Sequence, residues 1–419
     1  MIEASAVQPD TQTPVPPRVA HLLDTARTAF VAEGYDRVSI DAIAREAGVS
    51  KETIYRHFVD KQALFRAALE DMANRFVARA QALHRAALPP GQELDALART
   101  ILDAAVGGGL LSPLWLAAGL GSRMPDFAAE LQQAQAARME PVREAIEGIA
   151  RAQGVLRDIP IDDALDFGSL AVEGSTLLMG FDPPPPERRT ALAARVAALF
   201  GQGVLAMPAT PALLDPEPEH TAGPAPTRAP HLRRLIDIAA QHFLSDGFEA
   251  ASLGVIGAEA KVGRGTLYRH FAHKAGLFDA VLRDLATQLA NQATPPALVG
   301  DGIPETLAHY FGAATAHLTA PVSIALHRAA ISASRRDPAL ARFVHDTVRE
   351  PWIGPLSVWI AQRTGHADSR WLARQGIVLA MQGNRAIASG HGPAPQALDR
   401  HAVRTARLFL NGLADGNAA

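Results

Sequence analysis

The feature of this 419-residue sequence that most constrains its fold is an internal duplication. Shifting the chain by 213 residues places residues 22–71 on residues 235–284 without a gap. The tetrapeptide Tyr-Arg-His-Phe recurs within that alignment, at residues 55–58 and 268–271. A repeat of this length predicts that one structural unit is present twice.

The similarity continues beyond the first fifty residues of each copy. The dipeptide Glu-Pro at residues 140–141 matches residues 350–351 at an offset of 210, and Gly203 matches Gly412 at 209. A few deletions account for the change in offset. The duplication therefore covers a whole unit of roughly 200 residues, in line with the size of one or two domains.

Apolar residues recur at helical spacing nearly throughout, which predicts an all-α fold. Gly34 is expected to close the first helix, and Ser39 to cap a short second helix that ends at Gly48. Ser50 is expected to cap a third helix over residues 51–58, and Asp60 a long fourth. Two short helices joined by a small residue and a glycine predict a helix-turn-helix motif. Beyond residue 90, copy one predicts further helices at about 92–106, 125–152, 161–179 and 187–206.

Seven prolines fall within residues 207–230, between the copies. Each proline fixes φ and removes a backbone donor, so we expect an extended linker there. Residues 1–17 are polar and proline-rich, which predicts a disordered leader. The charge-poor stretches 104–122 and 196–214 are interrupted by glycine and proline, so we read them as buried helices and expect no membrane span.

Net charge is −3, so any DNA-binding surface has to be local. The chain has no cysteine, which excludes disulfides, thiolate metal sites and a cysteine nucleophile. No phosphate loop, zinc spacing or nucleophile elbow is present, and the glycines at 107–109 lack the following Lys-Ser/Thr of a phosphate loop. We therefore expect no enzyme, no metal and no cofactor.

The stretch from Ser39 to Phe58, followed by Lys61, Leu64 and Phe65, resembles the tetracycline-repressor (TetR) family of transcription regulators. The resemblance implies that each unit has an N-terminal three-helix DNA-binding domain and a C-terminal helical domain. It also implies that this second domain binds a small effector and dimerises through its last two helices. Because one chain carries two units, we expect an intramolecular pseudo-dimer.

The resulting domain plan follows the repeat. It comprises a leader (1–17), a first helix-turn-helix domain (18–65), a first effector and dimerisation domain (66–206), the linker (207–230), a second helix-turn-helix domain (231–278) and a second effector and dimerisation domain (279–415).

By the same resemblance, Lys51, Glu52 and Thr53 would face bases. Tyr55, His57 and Lys61 would contact the DNA backbone, where sequence-blind donors set the register. The full expected DNA-binding set is Ser39, Ser50, Lys51, Glu52, Thr53, Tyr55, His57 and Lys61 in copy one, and Ser252, Lys261, Gly263, Arg264, Gly265, Thr266, Tyr268, His270 and Lys274 in copy two.

Copy two departs from the pattern at its turn. Lys261 replaces the turn glycine and Gly263 replaces the capping Ser50, while Gly254 and Gly257 sit in the second helix. These changes predict a softer second head, since a non-glycine residue in the left-handed region costs of order 1 kcal/mol. The unlike pairs Lys51-Glu52 and Arg264-Gly265 predict two non-identical operator half-sites about one helical turn apart.

We expect the effector to be mostly apolar or aromatic, because few buried charges are expected in the C-terminal regions. Ordinary core packing is the alternative for each candidate residue. The candidates are Trp115, Met124, Phe127, Met139, Met179 and Phe181 in copy one, and Tyr310, His327, Trp352, Trp359 and Met381 in copy two.

Together these features predict a cytoplasmic, ligand-responsive repressor that acts on double-stranded DNA as a single chain. The alternative is a ligand-binding or protein-interaction module in which one or both helix-turn-helix units no longer bind DNA. The altered turn of copy two favours that alternative.

Overall fold

The computed structural model describes residues 16–33, 35, 37–85, 92–107, 111, 114–115, 118, 125–155, 158–207, 229–300 and 302–413. Every regular element within these ranges is helical, as the apolar spacing predicts. The chain divides into two compact units, Met1–Arg75 and Phe76–Ala419. Across the described ranges, no helix has the length and apolar character that a membrane span requires. Most of the predicted leader and linker, and Gly34, lie outside the described residues.

The N-terminal helices of copy one are α1 (Pro17–Glu33), α2 (Ile40–Glu46), α3 (Lys51–His57) and α4 (Lys61–Arg85). The predicted cap at Ser39 is confirmed, because its Oγ accepts the Ala42 N–H at 3.1 Å. Asp60 Oδ1 likewise accepts the Ala63 N–H at 2.7 Å at the start of α4. Each cap satisfies a donor that the first turn of a helix leaves unpaired.

The core of the first unit is formed by apolar residues at helical spacing. Leu22, Ile43, Ile54 and Leu64 are all fully buried. Phe58, which directly follows α3, is only half-buried. Ile40 and Ile43 of α2 and Ile54 of α3 are buried, and the opposite face of α3 lies in solvent.

Three of the four further helices predicted for copy one agree with the structure, and the remaining one is interrupted. The observed helices are α5 (Glu93–Val106), α6 (Pro125–Ala152), α7 (Ile161–Ala171) and α8 (Pro186–Ala206), with a 3₁₀ turn at Leu177–Met179. The predicted single helix over 161–179 is interrupted at Glu173 and Gly174, whose φ values are +53° and +64°. Two consecutive left-handed residues end α7 because they turn its backbone out of the helical path.

Copy two repeats the plan. Its helices are α9 (Pro230–Ser245), α10 (Gly247–Ala250), α11 (Leu253–Ala260), α12 (Arg264–Phe271), α13 (Lys274–Gln292), α14 (Ile303–Leu318), α15 (Pro321–Ala333), α16 (Pro338–Thr364), α17 (Ser369–Ala380), α18 (Arg385–Ser389) and α19 (Pro395–Asn411). Proline opens several of them, at a position where its missing N–H removes no helical hydrogen bond.

Within the second compact unit, α7 and α8 of copy one pack against α17 and α19 of copy two, and we call this contact the seam. The backbones of the two copies approach so closely that a Cβ on Gly203 would lie 2.1 Å from the Leu410 carbonyl oxygen. A Cβ on Gly412 would lie 2.5 Å from the backbone nitrogen of Gln202. Both glycines also have positive φ, so two residues matched by the repeat make the same close crossing.

The seam contains buried ion pairs. Arg404 Nη1 lies 2.7 Å from Asp163 Oδ1, and its Nη2 pairs with Asp166. Arg385 Nη2 lies 2.8 Å from Asp166 Oδ1. Burial acts to raise the pKa of Asp166, but the neighbouring Arg385 and Arg404 outweigh it and hold that pKa below its usual value.

The expectation of few buried charges in the C-terminal regions is therefore wrong. Asp163 and Asp166 are buried, and a second pair, Arg195 with Asp368, lies elsewhere in the seam. Arg195 and Arg404 correspond at the offset of 209 found for the last helices. Charges that sequence reasoning assigned to solvent are neutralised here by partners from the other copy.

Candidate nucleic-acid interface and ligand cavity

The first helix-turn-helix unit, α1–α3, is called the first head. Gly48 adopts φ +63° in its turn, a conformation that favours glycine. Ser50 Oγ accepts the Thr53 N–H at 3.2 Å and so caps α3, as predicted. Ile54 is fully buried, which fixes the side of α3 that faces the core.

Fixing Ile54 inward turns a polar face of α3 outward. Lys51, Glu52, Tyr55 and His57 are exposed, and Tyr55 keeps 46% of its surface accessible although it is a large ring. Thr53 is half-buried, and its hydroxyl forms a hydrogen bond of 3.1 Å with the Ser50 hydroxyl. An exposed aromatic hydroxyl beside basic side chains provides the donors that a phosphate backbone accepts.

Two of the predicted base-facing residues interact within the head itself. Lys51 Nζ lies 3.0 Å from Asp41 Oδ1, and this hydrogen bond raises the pKa of the lysine. Backbone N–H and Ser50 hydrogen bonds lower the pKa of Glu52. Both side chains are exposed, so these contacts are weak and open to exchange for DNA groups.

Lys61 starts α4 next to an aromatic cluster. Its Nζ lies 4.5 Å from the centre of the Tyr35 ring. Phe30 and Phe65 meet edge to face with ring centres 4.9 Å apart, and Tyr35 lies 5.0 Å from Phe65. The cluster therefore sets the position of the lysine that the resemblance assigns to phosphate.

The second head, α9–α12, preserves this arrangement with different residues. Phe243 and Phe278 meet edge to face at 5.0 Å, and Phe248 takes the place of Tyr35. Lys274 Nζ lies 5.0 Å from the Phe248 ring centre and donates to the Glu249 carbonyl at 2.9 Å. The aromatic support of the basic residue is thus present in both heads.

The turn of the second head differs as the sequence predicts. Lys261 adopts φ +57°, the left-handed conformation that Gly48 has in the first head. Gly263 begins α12 without a side-chain cap, and Ser252 begins α11 in the same way. A Cβ on Gly257 would lie 3.1 Å from the Val262 carbonyl oxygen, so this glycine permits close contact of the turn with α11.

The outer face of α12 corresponds to that of α3. Arg264, Gly265, Tyr268 and His270 are exposed, with Tyr268 at 51%, while Thr266 is half-buried. Arg264 Nη2 lies 3.9 Å from the place where a Cβ on Gly254 would stand, so the guanidinium lies over this glycine. The two heads therefore present the same tyrosine and histidine beside different first-turn residues.

These two heads define a helix-turn-helix protein that carries its motif twice. The family described as bacterial regulatory proteins, tetR family, matches residues 22–68 and 235–281. The chain therefore contains two domains that match the N-terminal domain of the tetR family, in tandem.

Similarity to individual curated proteins extends over short stretches of the chain. The chain is 45% identical over 53 residues to the DNA-binding transcriptional repressor TetR of Mycobacteroides abscessus, covering 13% of this chain and 28% of that protein. It is 34% identical over 86 residues to the transcriptional activator FasR of Mycolicibacterium smegmatis, covering 20% and 39%. The chain thus spans about a third of the length of these relatives.

A solved TetR/AcrR-family regulator from Thermobifida fusca is 19% identical, covering 44% of this chain and 96% of that one, with a TM-score of 0.34. The relatives named here are transcriptional regulators that include both a repressor and an activator.

A cavity of about 280 Å³ lies at the seam, within the second compact unit. Its walls come from both copies: the segment 172–188 of copy one, and α16 and α17 of copy two. Two predicted effector residues, Phe181 and Met381, line it. The sequence analysis missed its arginines, Arg188, Arg349 and Arg374.

The other predicted effector residues do not line this cavity. Tyr310 and Trp352 are buried core, where the tyrosine hydroxyl donates to the Trp352 carbonyl and burial raises the pKa of the phenol. Met139, Met179 and Trp359 are also buried. Arg335 Cζ lies 3.7 Å from the centre of the Trp115 ring. His327 is buried behind Arg349, while Met124 and the Phe127 side chain lie outside the described residues.

One signal in the sequence points to Arg349. At the offset of 210 that aligns the two Glu-Pro dipeptides, the position of Arg349 corresponds to Met139. An arginine opposite a buried methionine is a non-conservative difference in a helix whose neighbours match. Its meaning depends on a contact with the other copy, which spacing alone does not show.

Proposed function

We propose that this chain is a DNA-binding transcriptional regulator, a ligand-responsive repressor that reads an operator with two non-identical half-sites. The observation that carries the proposal is the exposure of Tyr55 and Tyr268 at matching positions of two complete helix-turn-helix heads. Both tyrosines stand beside basic residues and above a buried aliphatic residue, a geometry suited to a helix in the major groove.

The difference between the heads supports unlike half-sites. Arg264 can donate two hydrogen bonds to guanine, whereas Glu52 accepts from cytosine or is repelled by a nearby phosphate. A symmetric homodimer presents the same residues twice and so requires a palindrome. The pairs Lys51-Glu52 and Arg264-Gly265 remove that requirement.

We further propose that the chain acts alone, as an intramolecular pseudo-dimer. The resemblance assigns dimerisation to the last two helices of each unit, and the corresponding helices of the two copies form the seam. Light scattering is expected to give a mass near the 44.4 kDa of one chain without operator, and the mass of one chain plus the DNA in the operator complex. A mass of two chains in the DNA complex contradicts this.

Footprinting and gel-shift titration against the protein's own upstream DNA test the DNA-binding proposal. Tyr55→Ala and Tyr268→Ala, made separately, are each expected to lower operator affinity at constant salt. Val358→Ala on α16, which is 55% exposed, is the control and is expected to leave affinity unchanged. If Tyr268→Ala has no effect, the hypothesis that both heads bind DNA fails. A perfectly palindromic footprint contradicts the two non-identical half-sites.

The alternative is a module in which the second head no longer binds DNA. The positive φ of Lys261 and the uncapped start of α12 favour it. Salt titration separates the two readings, because the slope of log affinity against log salt scales with the number of phosphate contacts. The slope depends on charged contacts, so Lys274→Met is the informative variant. With one active head it leaves the slope unchanged, and with two active heads it makes the slope shallower.

The proposed location and mode of action follow from binding to operator DNA. A regulator of chromosomal operators works in the cytoplasm, where that DNA is. The chain is proposed to act by binding and without catalysis, in keeping with relatives that are regulators.

A further inference from the structure

The cavity at the seam is built around a buried guanidinium. Arg349 is 5% exposed, and it lies on α16 facing the copy-one segment 172–188. Its Nη2 donates to Ser175 Oγ at 2.9 Å, and its Nη1 donates to the His345 carbonyl at 3.1 Å and to His327 Nε2 at 2.8 Å. A guanidinium has five N–H groups, so these three bonds leave donors for a further partner.

All of these partners are neutral. His327 Nδ1 donates to the Ser323 carbonyl at 2.7 Å, which leaves Nε2 as the acceptor for Arg349. Burial and the Arg349 charge hold the pKa of His327 well below its usual value, and they lower the pKa of His345 to about 4. Both histidines are therefore uncharged at neutral pH.

Within the described part of the chain, no carboxylate forms an ion pair with Arg349. The negative charge of Asp346 acts to raise the pKa of Arg349. The Asp346 carboxylate accepts its hydrogen bond from His345 Nδ1, at 2.9 Å. Burial lowers the pKa of Arg349 to about 9, which still leaves the group charged. A buried charge without a counter-charge is costly, and an anion in the adjoining space would offset that cost.

A second polar group in the wall also lacks a partner. Gln375 is 1% exposed, lines the cavity, and its Oε1 makes no hydrogen bond to any residue that the structure describes. Buried amides are nearly always hydrogen-bonded in native proteins. A carboxylate oxygen is itself an acceptor, so it would accept from the Nε2 group of this amide and not pair with Oε1.

The remaining wall is mixed. Leu102, Phe181, Ile353 and Val378 supply apolar surface. Of the other charged lining residues, Arg188 and Arg374 are basic and Glu173 and Asp182 are acidic, so with Arg349 the wall carries one net positive charge. Glu173 Oε1 accepts from Trp371 Nε1 at 2.8 Å. The wall thus matches a ligand with one anionic group and an apolar body.

We propose that the seam cavity binds a small monocarboxylate, whose carboxylate pairs with Arg349 and Gln375 while its apolar body lies against Phe181 and Ile353. This adds one anionic group to the mostly apolar or aromatic effector expected from the sequence. The ligand would touch both copies at once, so its binding energy depends on how α16 and α17 sit against segment 172–188.

The site occurs on one side of the seam. Met139 occupies the position that corresponds to Arg349, and its side chain packs against Gly168. Asn384, which corresponds to Ser175 at offset 209, donates to the Gly174 carbonyl at 2.9 Å. One carboxylate is therefore expected per chain.

The role of this ligand in regulation rests on the function proposed above, because a ligand is coupled to DNA only if it prefers one of two states of the seam. Binding itself does not rest on it. The two are tested separately, with the purified full-length chain in the absence and then in the presence of operator DNA.

Calorimetric titration with 3-phenylpropanoate and hexanoate, each paired with its amide, tests the binding site. A charge-assisted hydrogen bond predicts that the acids bind about 10- to 100-fold more tightly than the amides. Arg349→Met, which copies the residue of the other half, is expected to remove this difference. Arg363→Met, an exposed residue on the same helix, is the matched control and is expected to preserve it.

Two further variants keep the test decisive if Arg349→Met fails to fold. Arg349→Lys retains the charge and is expected to retain the preference for acids with weaker binding. Gln375→Leu is expected to lower acid affinity roughly 3- to 10-fold, the usual value of one hydrogen bond. Equal affinity for acid and amide, or no binding of either acid, overturns the assignment.

Gel shifts with and without the acid then address regulation. A chain that binds both operator and carboxylate with no mutual effect retains the binding site and refutes ligand responsiveness. A chain that binds the carboxylate and no DNA supports the cavity assignment and contradicts the proposed function.

Discussion

The two copies share a close backbone crossing at the seam and differ in the first turns that would meet DNA. At the seam, Gly203 and Gly412 make the same crossing, and Arg195 and Arg404 each form an ion pair with the other copy. In the heads, Ser50 caps α3 while Gly263 leaves α12 uncapped. Packing constrains both copies to one geometry, whereas exposed first turns are free to diverge.

The comparison also separates structural from chemical similarity. Both heads keep the aromatic cluster and the lysine beside it, although Tyr35 in one corresponds to Phe248 in the other. Both keep a left-handed residue in the turn, although one is Gly48 and the other Lys261. Backbone geometry is therefore retained even where the residue best suited to it has been lost.

The largest expected effect comes from substitutions that disrupt the close backbone crossing at the seam. Gly203→Ala and Gly412→Ala each place a Cβ against backbone in a conformation reserved for glycine, which predicts a loss of roughly 3 to 5 kcal/mol in unfolding free energy. Urea unfolding monitored by circular dichroism measures it.

Gly365→Ala is the matched control for this pair. Gly365 has φ +68° but open space around its Cβ position, so strain alone predicts about 1 kcal/mol. Equal losses at all three glycines would show that the close crossing contributes nothing.

The next effect concerns the seam ion pairs. Arg404→Met leaves Asp163 and Asp166 buried with one guanidinium fewer, which predicts a loss of about 3 kcal/mol at pH 7. The measurement is again urea unfolding. Arg400→Met, on the exposed side of the same helix, is expected to change stability by less than about 0.5 kcal/mol.

Acid should weaken the same contact. The pKa of Asp166 is lower in the folded chain than its ordinary 3.8, so its stabilising contribution is complete above pH 4 and is lost as pH falls through the folded value. Thermal unfolding between pH 5 and pH 3 is expected to show this loss, with a smaller slope in Arg404→Met. Equal slopes would contradict the role of this carboxylate.

The next prediction tests whether the first-turn residues give the two heads different DNA specificity, and it rests on the proposed function. Exchanging Lys51-Glu52 for Arg-Gly makes the first head resemble the second, so selection from random DNA is expected to shift from unlike half-sites towards a palindrome. Each changed contact predicts about 1–3 kcal/mol of discrimination. An unchanged selected site would show that these residues do not read bases.

The smallest effect lies in the turns. Lys261→Gly is expected to stabilise the second head by about 1 kcal/mol, and Gly48→Lys to destabilise the first by a similar amount. Amide hydrogen exchange in α3 and α12 reports each head locally. Changes of the same sign in both variants would contradict the explanation by backbone strain.

Local features of the fold were accessible from the sequence. The caps at Ser39, Ser50 and Asp60 and the bounds of α5 and α6 follow from short-range patterns, because helix ends are decided within a few residues. The break at Glu173 was missed, since neither its residue type nor its neighbours require a positive φ. Tertiary contact with the other copy holds it there.

Features that join distant residues were not accessible. Arg404 and Asp163 are 241 positions apart, and each reads as an ordinary surface charge in its own helix. Arg349 likewise reads as a helical arginine until Ser175 and His327 are brought beside it. The site predicted from aromatic residues therefore missed the polar groups that give the cavity its chemistry.

One consequence follows from the seam joining two different stretches of a single gene product. In an assembly of identical subunits, any substitution at the contact appears on both sides, so the new residue has to be compatible with both environments. Here the codons for the two sides change independently, so Met139 and Arg349 can coexist without compromise. The fusion has made room for a one-sided binding site, which identical partners could form only in pairs.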